Sequence, residues 1–134
     1  MTKGSDSRFA ALRGARVVVT GGLGLIGSAL ARRLVELGSD VLLIDNMMPE
    51  GGANPANIAT FRDRVQVNIA DIRDREAMHS LLAGRDFLFD LAAQTSHLDS
   101  MKAPFEDLAI NATAQLQLLE TCREVTPAIV IVHA

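Results

Sequence analysis

The sequence contains a single cysteine, Cys122, and neither tryptophan nor tyrosine. One thiol cannot close an internal disulfide, which fits a reducing compartment. There is also no run or stripe of Lys and Arg. The net charge of -3 arises from interspersed acidic and basic residues, so the cationic footprint that a nucleic-acid backbone requires is missing. No apolar stretch approaches the roughly 20 residues of a membrane helix. The opening MTKGSDSRFAALRGAR mixes charged with small residues and lacks the apolar core of a secretion signal. These absences lead to the expectation of a cytoplasmic protein with no membrane and no nucleic-acid partner. Without such a signal, the formal glycosylation triplet Asn111-Ala112-Thr113 carries no weight.

What is present is enough apolar material for one core. Of 134 residues, 49% are apolar and 22% charged, which suits one compact domain and leaves no room for a second. After a polar arm over 1–15, Arg16-Val17-Val18-Val19-Thr20 is a β-branched run of the kind a strand buried on both faces requires. Apolar positions Leu25, Ile26, Ala29, Leu30, Leu34 and Leu37 then recur at helical steps, with Gly38 as a stop. A second strand is expected over 41–45, a long loop over 46–63 with a short helical turn near Asn57 to Phe61, and a third strand over 65–69. A helix over 75–83, a strand over 87–92, a helix over 104–125 and a last strand over 128–132 follow. Strand and helix alternating at these spacings imply an α/β fold of the Rossmann type, a doubly wound parallel sheet with strand order 3-2-1-4-5, cut off after the fifth strand.

The chemistry-bearing feature is the glycine turn between the first strand and its helix. Gly22, Gly24 and Gly27 answer three steric demands: a tight turn, backbone contact with a pyrophosphate, and close packing of helix on strand. The turn, with Gly21, Leu25 and Ile26, offers unpaired N–H groups at a positive helix end, so a phosphate is held there without Lys or Arg. Asp45 closes the second strand, 18 residues after Gly27, where a carboxylate accepts from ribose hydroxyls and repels a 2′-phosphate. With Asn46-Met47-Met48 following and no arginine, the cofactor expected is NAD and not NADP.

The segments TGGLGLIG (20–27), IDN (44–46), ADIRD (70–74), LAAQ (91–94), IN-A-T and LLETCR (110–123) stand in the order and approximate spacing of one family. From Arg16 onward the chain resembles the NAD-dependent epimerase/dehydratase family, extended short-chain dehydrogenases that act on nucleotide sugars, and is closest in kind to UDP-glucose 4-epimerase-like enzymes. The resemblance implies that Asp71 accepts from the exocyclic amine of adenine and that the N–H of Ile72 reaches its ring; read alone, Asp71 is equally a helix N-cap. It also implies that Leu91, Ala92, Ala93 and Gln94 lie along the nicotinamide ribose and that Asn111 braces them. The helix over 104–125 corresponds to one that the family uses in a dimer-forming bundle, which implies a possible homodimer. Cys122, on a stripe with Phe105, Leu108, Ala112, Leu116 and Leu119, reads as core. His97 and Asp99 receive no role, and no residue is assigned as catalytic or metal-ligating.

In the family a Ser or Thr follows the fifth strand and a Tyr-x-x-x-Lys pair comes later, the lysine lowering the tyrosine pKa for proton abstraction while NAD takes hydride. This sequence has no tyrosine, and Lys3 and Lys102 are not placed for that work. The chain alone is therefore expected to be inactive, with a nucleotide-sugar substrate only in a full-length parent. The specific reaction expected of that parent is UDP-hexose 4-epimerisation. The alternative is a stand-alone, non-catalytic dinucleotide-binding module or cofactor sensor.

Overall fold

Val17, Val18 and Val19 expose none of their surface, which requires apolar cover on both faces of the strand they form. The computed structural model describes residues 7–49 and 51–134; residues 1–6 of the expected arm, with Lys3, lie outside the described residues. Five strands, β1 Arg16–Thr20, β2 Asp40–Asp45, β3 Gln66–Ile69, β4 Phe87–Asp90 and β5 Val130–His133, form one sheet in the order β3-β2-β1-β4-β5. Every neighbouring pair is parallel, with Thr20 opposite both Ile44 and Asp90. This is the doubly wound Rossmann-type sheet expected from the sequence.

Strand alternation sends Val17, Val19, Val41 and Leu43 to one face, where they meet Ala31, Leu34 and Val35 of helix α1 Leu25–Glu36 and Ile58 and Phe61 of a 3₁₀ segment Pro55–Arg64. Val18, Leu42, Ile44 and Leu88 face the other side. There they pack on Met78 and Leu82 of helix α2 Arg75–Leu82 and on Ile110, Ala114, Leu118 and Cys122. The crossover between β4 and β5 is built from short pieces: helix α3 His97–Lys102, helix α4 Pro104–Leu108, a π-helical turn Ala109–Thr113 and helix α5 Ala114–Val125. Among the described residues no helix is long and apolar enough to cross a membrane.

The differences from the sequence reading have local causes. The 46–63 segment is more ordered than a loop, because Asn54 accepts from the N–H of Ala56 and starts the 3₁₀ turns that bury Ile58 and Phe61. The fourth strand stops at Asp90 and not at 92, since the N–H groups of Leu91 and Ala92 turn away to the hydroxyl of Thr20. The fifth strand starts at Val130, where pairing with Phe87 begins; Ala128 lies in the turn closed by the bond from Ile129 N–H to the carbonyl of Thr126.

The two helical stripes expected from the sequence face the sheet only in part. On α1, Leu34 is buried and Leu30 packs on the core, but Leu25 and Ile26 are exposed, and Gly27, Ser28, Ala31 and Val35 join Leu34 as the buried positions. On the last helix, Phe105, Leu108, Leu116 and Leu119 face outward, and the inward stripe is Ile110, Ala114, Leu118 and Cys122. Both stripes have helical spacing, so periodicity alone does not distinguish them. Cys122 is nevertheless core, as expected. Urea denaturation of Leu118→Ala should therefore show a loss of about 2–5 kcal/mol, whereas Leu98→Ala in α3, at 66% exposure, should stay within about 0.5 kcal/mol of wild type.

Candidate functional site

The C-terminal ends of β1, β2 and β4 open into a cleft of about 460 Å³ at the point where the strand order reverses, the usual ligand position in such sheets. Gly21, Gly24, Leu25, Ile26 and Gly27 form one side of it; Asp45, Asn46, Asp71 and Ile72 form the second; Leu91, Ala92 and Ala93 form the third. Twelve of the fifteen candidate residues thus line one cleft. Gly22, Gln94 and Asn111 are not among its lining residues.

The glycine turn is built by close contacts. Gly21 takes the left-handed conformation at φ +66°, and a Cβ there would lie 3.0 Å from the carbonyl oxygen of Leu91. The tight turn therefore belongs to Gly21, whereas Gly22, to which the sequence reading gave it, packs against Leu43, whose Cβ would be 2.7 Å from an added one. At Gly27 a Cβ would overlap the carbonyl oxygen of Gly21, so the helix can approach the strand end only with hydrogen at that position. Gly24 is the N-cap and brings no side chain to the helix end. Among the described residues, nothing accepts from the N–H groups of Leu25, Ile26 and Gly27. They remain available at the positive end of α1, and no Lys or Arg lines this cleft.

Asp45 is 8% exposed and fixes the backbone on both sides of the cleft's end. One carboxylate oxygen accepts from the N–H of Leu23 at 3.0 Å and the other from that of Met47 at 2.9 Å. Met47 adopts φ +57°, a left-handed backbone that a non-glycine residue reaches only when its surroundings impose it. Each oxygen of Asp45 keeps a second lone pair for a hydroxyl donor.

Asp71 does not cap α2; Asp74 does, accepting from the N–H of Ala77 at 3.0 Å. Instead, the Arg73 guanidinium grips Asp71 through Nε at 3.0 Å and Nη2 at 2.7 Å, while Asn46 donates at 3.3 Å. Arg73 also reaches Glu106 at 3.6 Å, tying this loop to α4. The guanidinium contact, against some opposing desolvation, holds the Asp71 carboxyl at about 2.

On the third side, Asn111 forms a reciprocal pair with the backbone of Gln94, accepting its N–H and donating to its carbonyl, both at 2.8 Å. Asp107 accepts the other hydrogen of that amide at 2.9 Å. Ser96 caps α3 by accepting from Asp99 N–H at 3.2 Å, leaving His97 exposed in its first turn. The thiol of Cys122 is pushed up by burial and then by the charge of Asp90, which suits a core residue and not a nucleophile. The residues that sequence reasoning passed over are Thr20 and Asp90, bonded at 2.7 Å behind the cleft wall. A carboxylate closing an otherwise apolar strand was the available signal.

A family model described as the NAD-dependent epimerase/dehydratase family matches residues 17–134. The chain belongs to that family. Among its relatives, dTDP-L-rhamnose 4-epimerase of Burkholderia thailandensis is 27% identical over 87% of this chain and 32% of its own length. UDP-glucose 4-epimerase of Bos taurus is 31% identical over 81% of this chain and 34% of its own. Similar solved structures include an epimerase from Methanothermobacter thermautotrophicus, with TM-score 0.80, 31% identity, and coverage of 88% of this chain and 34% of that one. Another is the Bordetella bronchiseptica enzyme WbmF in complex with NAD+, with TM-score 0.80, 28% identity, and coverage of 92% and 37%. The chain thus spans about a third of the length of the curated relatives it matches, and NAD is the cofactor of its family.

The Asp71 carboxyl has a folded pKa below its ordinary 3.8, so its contribution to stability is fully present above that value and is lost as pH falls through about 2. A carbon-detected NMR titration should find Asp71 at about 2 and, in Arg73→Ala, back toward 3.8; an unmoved value would contradict the guanidinium grip.

Proposed function

We propose that this chain is the NAD-binding part of a nucleotide-sugar epimerase or dehydratase, with 4-epimerisation of a UDP-hexose as the specific reaction. The observation that carries the reading is the convergence of the N-terminus of α1, which has no side-chain cap, the Asp45 carboxylate and the small residues Ala92 and Ala93 on one cleft. The N–H groups of Leu25, Ile26 and Gly27 would hold the pyrophosphate, and Asp45 the hydroxyls of the adenosine ribose. Asn46, Asp71 and Ile72 would border the adenine. Leu91 to Ala93 would let the nicotinamide half approach the backbone, with Gln94 and Asn111 bracing that segment. NAD bound there would supply a hydride acceptor; this chain's residues would bind and orient it. The 4-epimerases among the relatives support the specific reaction.

The outward stripe of Phe105, Leu108, Leu116 and Leu119 supports a homodimer, because an apolar helical face of this extent is suited to burial against a second copy. Equilibrium sedimentation should find a dimer that Leu116→Glu converts to monomer; a monomeric wild type would sink this part.

Calorimetric titration of the chain should give a Kd for NAD at least tenfold below that for NADP, since a 2′-phosphate would meet the Asp45 carboxylate. Asp45→Ala should weaken NAD binding and erase that preference. Equal affinity for the two dinucleotides in the wild type would overturn the assignment.

A further inference from the structure

Asp90 is out of character with its strand. It follows Phe87-Leu88-Phe89, is 3% exposed, and shares the face of Leu88, which packs among Ile110, Leu118 and Cys122. A carboxylate in such surroundings is strongly unfavourable unless donors reach it. Two side chains do so: the Thr20 hydroxyl donates to Oδ1 at 2.7 Å, and Nδ1 of His133 lies 2.9 Å from Oδ2. The thiol of Cys122, held protonated by burial and by Asp90, brings no charge of its own. An ionised carboxylate only accepts, so Nδ1 of His133 must carry the hydrogen whether the ring is neutral or charged. In the neutral ring Nε2 is then the bare nitrogen.

The same hydroxyl connects the pair to the cleft. Thr20 Oγ1 accepts from the N–H of Leu91 at 3.0 Å and from that of Ala92 at 3.2 Å. Its one hydrogen goes to Asp90, which leaves both lone pairs for these two N–H groups. Leu91 and Ala92 line the cleft, and the backbone of Gly21 lies so close to them that a Cβ would sit 3.0 Å from Leu91 O and 3.2 Å from Ala92 N. The wall cannot shift without moving the glycine turn. On the other side, Ala134, next to His133, also lines the cleft, and its N–H reaches the carbonyl of Asp90 at 3.3 Å.

We propose that Asp90 and His133 are positioning residues of the dinucleotide cleft, acting through the Thr20 hydroxyl on the backbone of Leu91 and Ala92. Asp90 orients the hydroxyl. His133 supplies the second donor that lets the carboxylate remain buried and fixes the end of β5 against it. The effect on ligand binding rests on the NAD reading above, whereas the ring tautomer and the wall's rigidity do not.

The test combines imidazole nitrogen NMR, amide hydrogen exchange and NAD titration on the chain. Neutral His133 should be the Nδ1–H form in the wild type. In Asp90→Asn the amide must donate toward His133 while its oxygen still accepts from Thr20, so the ring should switch to the Nε2–H form. Thr20→Val should speed exchange at Leu91 and Ala92 and raise the NAD Kd by about tenfold each, with Thr20→Ser restoring both, as expected for one lost hydrogen-bond junction. His133→Asn, which keeps a donor near the place of Nδ1, should bind NAD within about threefold of wild type, and His133→Phe about fivefold or more worse. An Nε2–H ring in the wild type, unchanged exchange in Thr20→Val, or equal binding by the Asn and Phe variants would overturn the proposal. A wild type that does not bind NAD at all would instead overturn the functional reading, while tautomer and exchange still decide the dyad.

Discussion

The approach of helix α1 to the end of β1 governs the rest of the site. Gly27 lies so close to the Gly21 carbonyl that no Cβ fits between them, and this contact sets where the first N–H groups of the helix point. With α1 seated, Ala31, Leu34 and Val35 cover one face of the sheet and the open N–H groups of Leu25, Ile26 and Gly27 face the cleft. The same contact exposes Leu25 and Ile26, which the helical pattern alone would bury.

Around that contact, each cleft wall is held by a buried or half-buried carboxylate. Asp45 binds the backbone of Leu23 and Met47, Asp71 is gripped by Arg73, and Asp90 is bonded to Thr20 and His133. Charge-assisted bonds of this kind are shorter and stronger than neutral ones and tolerate little displacement. The result is a cleft with fixed walls, an unfilled row of N–H donors and no lysine or arginine in its lining. Such a site suits a ligand whose phosphates are read by the backbone and whose sugars are read by carboxylates.

Much of this was legible in the sequence, for identifiable reasons. Apolar runs such as Val17-Val18-Val19 read as strands buried on both faces, and their alternation with helices points to a doubly wound parallel sheet. The glycine turn and Asp45 were legible because their chemistry is local to short segments. What was not legible depends on contacts distant in sequence. The helix over 114–125 has two apolar stripes, and only the position of the sheet decides that Leu118 goes in and Leu116 out. Asp90 looks like a strand-end residue until β5 brings His133 beside it, 43 positions away. The role of Asp71 was ambiguous because Asp74, three residues on, takes the cap.

The central claim is that the N-terminal amides of α1 receive the pyrophosphate of NAD. The most direct measurement is a ¹H–¹⁵N NMR titration of the chain with NAD, following the amides of Leu25, Ile26 and Gly27. The expected result is that these three show the largest shifts, saturating with a single Kd, and that Gly24→Val abolishes them while the rest of the spectrum remains that of the folded chain. Saturable NAD binding that leaves these amides unmoved, or survives Gly24→Val unchanged, would contradict it.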